Sequence, residues 1–147
     1  MPQDEEQSDA MTADETPANR TSDAEQLARA RVLVNAANER QAEDLLALDM
    51  RGLTSLADTF LIATGSSDRQ VRAIADAIED AGRAAGMRPL GIEGLEEARW
   101  VLLDFGDAIF HVFRHDARGH YDLERLWADA PRLDIEPVEV AKRGAQR

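Results

Sequence analysis

The sequence contains no cysteine, which excludes disulfide bonds, thiolate zinc sites and cysteine nucleophiles. This lack fits a protein of the cytosol, where disulfides are rare. Long apolar runs are also missing, and none approaches the roughly 20 residues that a membrane-spanning helix needs. The N-terminus is acidic and lacks the basic and apolar regions of a signal peptide. The sequence therefore predicts a cytoplasmic protein without a membrane segment.

Positive charge is scarce as well. The 17 Lys and Arg stand against 29 Asp and Glu, which gives a net charge of −12. Residues 1–30 hold eight acids and two arginines, so the remaining residues contribute about half of that charge. A phosphate backbone is bound through basic side chains, so this balance disfavours direct nucleic-acid binding. It favours attraction to a basic protein partner, and ribosomal proteins are abundant basic partners.

Composition divides the chain into one domain and two tails. Residues 1–21 are polar, acidic and poor in aromatic side chains, which predicts a disordered tail. Residues 22–132 form the predicted domain, which is large enough to bury a core of its own. Residues 133–147 predict a flexible C-terminal tail.

Hydrophobic periodicity predicts an α/β domain whose mixed sheet of about five strands is flanked by helices. Capping boxes at Ser22 with Glu25 and at Ser67 with Gln70 mark the starts of two helices. The first is expected over 23–39, and the second is expected to end at Gly86. The predicted strands are Leu45–Leu48, Ala57–Thr64, Pro89–Ile92, Trp100–Asp104 and Ala108–Phe113.

Two connections follow from this order. The second helix predicts a right-handed crossover from the second strand to the strand that comes next in the chain. The last two strands flank a Gly-Asp turn and predict a hairpin. Residues 115–120 are expected to form a loop, and a short last helix is expected over 121–127 with Asp122 as its N-cap.

The hairpin carries the first candidate binding residues. If Val101 and Leu103 face the core, the period of two turns Trp100, Leu102 and Asp104 to the opposite face. A tryptophan beside Leu and Asp on an open sheet face resembles a binding hot spot with a polar rim. The alternative is that helices cover this face too and that Trp100 belongs to the core.

Two carboxylates flank the bend of the hairpin. Asp104 and Asp107 suit turn positions, and they also suit the recognition of Arg or Lys on a basic partner. Both interpretations stay open from the residues alone. Tyr121, at the start of the last predicted helix, is a candidate surface residue, whereas Trp127 is expected in the core.

Signs of catalysis or metal binding are weak. The Gly65–Ser67 loop joins a strand to a helix, but it lacks the glycine-rich signatures of phosphate-binding loops. A nucleotidyltransferase-like site would need paired carboxylates on the next strand, and no such strand follows. His111, His115 and His120 have no spacing that converges on one ion. The sequence therefore predicts neither an enzyme nor a cofactor or metal site.

Several motifs in order closely resemble the ribosomal silencing factor family, also called the Iojap family. The resemblance covers residues 27–131. It rests on Ala57-Asp58, Ala63-Thr64-Gly65-Ser66-Ser67, Pro89-Leu90-Gly91, Glu93-Gly94, the run from Trp100 to Asp107, His111-Val112-Phe113 and the run from Tyr121 to Trp127. Asp68 departs from the pattern, because a neutral or basic residue is expected after Ser66-Ser67.

This resemblance implies a nucleotidyltransferase-like topology without known enzymatic activity. It implies binding to the large ribosomal subunit through ribosomal protein fourteen. The bound factor sterically blocks subunit joining and represses translation when nutrients are short. Several members form homodimers, so a homodimer is a further expectation. The contact residues that the resemblance implies are Trp100, Leu102, Asp104, Asp107, His111 and Tyr121. A factor for large-subunit assembly and a nucleotide-handling enzyme remain the alternatives.

Overall fold

The computed structural model describes residues 21–135, which form one five-stranded sheet with helices. The predicted 1–21 and 133–147 tails therefore lie almost wholly outside the described residues. In chain order the elements are α1 (Asp23–Glu39), β1 (Glu43–Asp49), β2 (Thr59–Gly65), α2 (Asp68–Ala84), β3 (Gly91–Glu93), β4 (Trp100–Asp104), β5 (Ala108–Arg114), α3 (His115–Tyr121) and α4 (Leu123–Leu126).

The strands lie in the order β1-β2-β5-β4-β3. β2 and β5 pair in parallel at the centre, and the other neighbours are antiparallel. The mixed five-stranded α/β sheet and the β4–β5 hairpin are confirmed. α2 makes the predicted crossover from β2 to β3, which run in the same direction, but β5 and β4 lie between these two strands in the sheet. The hairpin partner β5, and not β3, takes the place beside β2.

Local sequence signals set the starts of the two long helices. The Ser22 hydroxyl accepts a hydrogen bond from the amide of Glu25 at 3.2 Å, and the Ser67 hydroxyl accepts one from the amide of Gln70 at 3.1 Å. Each bond satisfies an amide that the first helical turn leaves free. Apolar side chains at helical spacing then turn one stripe of each helix to the sheet. In α2 the buried residues are Val71, Ile74, Ala75, Ile78 and Gly82.

The sheet divides the core into two parts. On one face, α1 and α2 cover the main cluster, to which β2 contributes Leu61 and β5 contributes Phe110. On the other face, a smaller cluster holds Phe60 and Phe113 beneath Ala117 of α3 and Leu123 of α4. The alternation of side chains along each strand produces this division.

The chain after β5 differs from the prediction. Residues 115–120 form α3, and α4 covers only Leu123–Leu126. Asp122 lies between them with a left-handed backbone (φ +46°) and makes no side-chain capping bond. The periodicity missed α3 because this short helix is held by ion pairs rather than by an apolar stripe. Arg114 pairs with Asp116 at 2.7 Å at its start.

The domain continues past residue 132, where the sequence predicts a tail to begin. The amide of Asp49 donates to the carbonyl of Pro131 at 2.7 Å, and the amide of Leu133 donates to the carbonyl of Ala47 at 2.9 Å. Ile135 is buried in the main core. This segment therefore covers part of the edge of β1.

A tight loop between β3 and β4 determines where Trp100 begins its strand. Gly94 has φ +88°, and a Cβ there would overlap the carbonyl oxygen of Trp100. From α2, Arg72 donates to the carbonyls of Leu95 at 2.9 Å and Glu96 at 2.6 Å. Only glycine fits the close approach, and Arg72 fixes the loop to the helix.

Replacement of Gly94 should show how much this loop contributes to stability. Gly94→Ala is expected to lower the free energy of unfolding by roughly 3 kcal/mol or more, because backbone strain and a clash add together. The matched control is Gly86→Ala, at φ +83° with no atom within 4 Å of the added Cβ. Strain alone should cost about 1 kcal/mol there. Urea unfolding measures both, and equal losses would contradict the role of Gly94.

Candidate partner-binding face

The outer side of β4 carries three of the predicted contact residues. Trp100, Leu102 and Asp104 are half-buried, and they alternate with the fully buried Val101 and Leu103. The alternation is the one that the sequence predicts, because Val101 and Leu103 join the helix-covered core. Trp100 packs against the edge of the smaller cluster. Trp100 was interpreted either as a binding residue on an open face or as a core residue. Each interpretation is right in part, since the indole is partly packed and partly exposed.

Tyr121 extends this side of the sheet from α3. Its ring centroid lies 4.6 Å from that of Trp100 and 5.9 Å from that of Phe113. Tyr121 is 39% exposed, as expected for a surface residue. We call Trp100, Leu102, Asp104 and Tyr121 the aromatic face.

Trp127 lies apart from the aromatic face. It is half-buried, and its ring packs at a right angle on Phe60 of β2 with a centroid distance of 6.0 Å. β2 is separated from β4 by β5. Trp127 therefore packs on the smaller cluster, half-buried rather than in the core as the sequence predicts. It lies on the same face of the sheet as Trp100, two strands away.

Asp104 serves the turn with one of its two oxygens. Its Oδ1 accepts a hydrogen bond from the amide of Gly106 at 2.8 Å. In the sheet Asp104 lies opposite Ile109 of β5 and Gly91 of β3. The turn function is thus present, and the carboxylate still stands at the rim of the aromatic face.

Asp107 does not join the aromatic face, because its carboxylate pairs with an arginine of α1. Its side chain is only 13% exposed, and its Oδ2 accepts from Arg29 of α1 at 2.9 Å. Its carbonyl accepts the amides of Asp58 at 2.8 Å and Thr59 at 3.1 Å. The ion pair turns this carboxylate toward the helix-covered side of the sheet.

His111 lies beneath the aromatic face and is only 4% exposed. Its Nδ1 accepts a hydrogen bond from Nε1 of Trp100 at 3.1 Å. Burial lowers the pKa of His111 to about 4, so the ring is neutral at physiological pH. A neutral ring that accepts at Nδ1 carries its proton on Nε2. Nε2 is buried and has no hydrogen-bond partner in the described part of the chain.

Arginines that the sequence analysis missed hold α3 against the sheet. Arg118 donates to the hydroxyl of Thr64 and pairs with Glu124 at 3.0 Å. Arg114 pairs with Asp68 of α2 and with Asp116, and the latter bond lowers the pKa of Asp116 to about 2. The bonds to Thr64 and Asp68 join residues 54 and 46 positions apart in the chain, so no local pattern reveals them. By contrast, the alternation of side chains along β5 is a local pattern, and it places the half-buried Ile109 beside Asp104.

The loop after β2 uses its polar groups internally. The amide and hydroxyl of Ser66 donate to Oε1 of Gln70 at 2.6 and 2.8 Å. A Cβ at Gly65 would lie 2.9 Å from a methyl group of Val71, so this glycine allows close helix packing. The loop is an ordinary turn followed by a helix cap, as the residues favour.

Among residues 21–135, no group of three His, Cys, Asp or Glu side chains is placed to hold a metal ion. His111 lies in β5, whereas His115 and His120 lie in α3. None of the helices in the same range is long and apolar enough to cross a membrane.

This arrangement defines an α/β domain with one helix-covered sheet face and one partly open aromatic face. A family model described as "Ribosomal silencing factor during starvation" matches residues 21–147. Ribosomal silencing factor RsfS of Bacillus subtilis is 48% identical over 106 residues, which cover 72% of this chain and 90% of that protein. The chloroplastic protein Iojap of Zea mays is 33% identical and covers 77% of this chain and 49% of its own length.

Solved structures agree with this fold. A crystal structure of a Chromobacterium violaceum protein matches with a TM-score of 0.67 and 34% identity, covering 73% of this chain and 88% of that one. One of a Bacillus halodurans protein matches with a TM-score of 0.65 and 40% identity, covering 76% and 99%. The chain belongs to the ribosomal silencing factor family, which is not a known class of enzyme.

The buried His111 predicts an acid-dependent loss of stability. Its pKa is about 4 in the folded protein and 6.5 ordinarily, so the unfolded chain binds the proton first as pH falls. The neutral His111 ring makes its full contribution to the free energy of unfolding above pH 6.5. That free energy falls by about 3 kcal/mol between pH 6.5 and 4. His111→Phe removes the titrating group and should flatten this part of the profile. Urea unfolding across that pH range tests it, and parallel profiles for both proteins would contradict it.

Proposed function

We propose that this protein binds the large ribosomal subunit through ribosomal protein fourteen. The bound protein sterically blocks joining of the small subunit and represses translation when nutrients are limiting. The observation that carries the proposal is the aromatic face, where Trp100 and Tyr121 pack with ring centroids 4.6 Å apart on a partly open sheet. Membership of the ribosomal silencing factor family supports the choice of the ribosome as the partner.

The chemistry of the aromatic face suits a basic protein surface. Trp and Tyr are enriched among the residues that contribute most to binding energy, because they bury a large area with little loss of side-chain entropy. Asp104 at the rim and exposed Glu93 on the neighbouring strand supply negative charge. A net charge of −12 adds long-range attraction to a basic partner.

The same face also suits a factor that assists large-subunit assembly, which is the second candidate. Such a factor would accompany immature large subunits rather than mature ones. A nucleotide-handling enzyme has less support, since the loop after β2 satisfies its own polar groups. We further propose that the protein acts in the cytoplasm and forms a homodimer, both on the family resemblance.

Sedimentation with purified ribosomal subunits tests the function. The protein is expected to travel with mature large subunits at micromolar concentration. When small subunits are added, the peak of joined ribosomes should fall in proportion to the protein bound. Protein that stays at the top of the gradient would sink the proposal. Selective recovery with immature particles would instead favour assembly.

A charge-removing substitution tests the rim of the aromatic face. Asp104→Asn keeps the Oδ1 acceptor for the Gly106 amide and removes the charge, so the turn should persist. Loss of a charge-assisted bond to the partner should weaken binding to large subunits by about tenfold. The matched control is Asp76→Asn, since Asp76 is exposed on α2 over the opposite sheet face. Equal effects of the two variants, measured by pelleting at low salt, would count against a specific contact at Asp104.

A further inference from the structure

His111 is a polar ring in apolar surroundings beneath the aromatic face. It is 4% exposed, and its ring centroid lies 5.0 Å from that of Phe60 and 6.3 Å from that of Phe113. Packing alone does not call for histidine here, because a phenyl ring has a similar shape without polar atoms to desolvate. The histidine even leaves its Nε2 buried without a hydrogen-bond partner among residues 21–135.

The group that histidine adds is the acceptor at Nδ1. Nε1 of Trp100 donates to it at 3.1 Å, across the β4–β5 pair. The ring of Trp100 also contacts Phe113 at 5.1 Å and Tyr121 at 4.6 Å, both between ring centroids. Apolar ring contacts are weakly directional, whereas a hydrogen bond from the indole N–H fixes which edge of the ring points inward. The bond therefore selects one orientation of a half-buried side chain.

A fixed orientation matters most for a side chain that binds. An anchor that is ordered before binding loses less conformational freedom in the complex. Residues that hold such an anchor commonly lie beneath it and touch no partner themselves. His111 has this placement, because the side chain lies below the aromatic face and its exposed fraction is too small for a direct contact.

We propose that His111 is a positioning residue, which holds the Trp100 indole in the orientation that binds the partner. The proposal rests on the proposed function, in which Trp100 contacts the ribosome. It assigns His111 an indirect role through the Nδ1 acceptor in place of the contact that the family resemblance implies.

Two substitutions separate the acceptor from the packing. His111→Phe keeps a ring and removes the acceptor, whereas His111→Asn places an amide oxygen near the position of Nδ1. With purified large ribosomal subunits as the probe, His111→Phe should bind about fivefold more weakly, which corresponds to one lost hydrogen bond. His111→Asn should recover most of that loss. Trp100→Ala provides the reference for complete loss of the anchor.

A spectroscopic measurement needs no ribosome. In His111→Phe the indole N–H signal of Trp100 should move and exchange faster with solvent, and in His111→Asn it should stay protected. Trp127→Phe assigns the signal, because Trp127 is the second of the two tryptophans.

The thermal midpoint of His111→Phe at pH 7 should be no lower than that of the unaltered protein. A purely structural histidine would lower the midpoint instead.

The outcomes distinguish the two proposals. If His111→Phe binds normally while Trp100→Ala does not, positioning by His111 is overturned and the proposed function stands. If Trp100→Ala also binds normally, the aromatic face is not the binding site, so the positioning role falls while binding to the large subunit stands. If the unaltered protein does not bind large subunits, the proposed function falls. If both His111 variants bind weakly and both midpoints drop, His111 serves the fold alone, which overturns the positioning role.

Discussion

Parallel strands cannot be joined by a short turn, and β2 and β5 pair in parallel through seven residue pairs at the centre of the sheet. The chain must therefore leave β2 by a long path before β5. That path contains α2, which packs over one face, and then β3 and β4, which lie beyond β5 at the edge. Because α1 packs beside α2, the two long helices cover the main core on one face of the sheet.

The opposite face receives the two short helices α3 and α4 and the segment that follows to Ala130. They cover β1, β2 and part of β5, so the outer side of β4 is left partly open. Trp100 lies at the border between the covered and open parts. The hydrogen bond from Arg118 to Thr64 holds α3 against the sheet, and Tyr121 at the end of α3 therefore lies beside the indole of Trp100. The aromatic face is thus the part of this sheet face that α3 and α4 do not cover.

The sequence predicted those elements that depend on neighbouring residues. Helix α1 was predicted over 23–39 and has those bounds, because its cap and apolar stripe are local. The face of the sheet on which Trp100 lies followed from the alternation of side chains along β4. The orientation of Asp107 could not be predicted, since its partner Arg29 lies 78 residues away. Helix α3 was missed for the same reason, as its bonds reach Thr64 and Asp68.

His111 shows how stability and binding divide between the two faces. An unsatisfied buried N–H costs roughly 1–3 kcal/mol, which is a sizeable part of the stability of a small domain. The main core on the helix-covered face does not depend on this group and can offset that cost. On the aromatic face, the same histidine orders Trp100 through its Nδ1 bond. A substitution that improves packing there should therefore gain stability and lose binding, which is the pattern expected where function opposes stability.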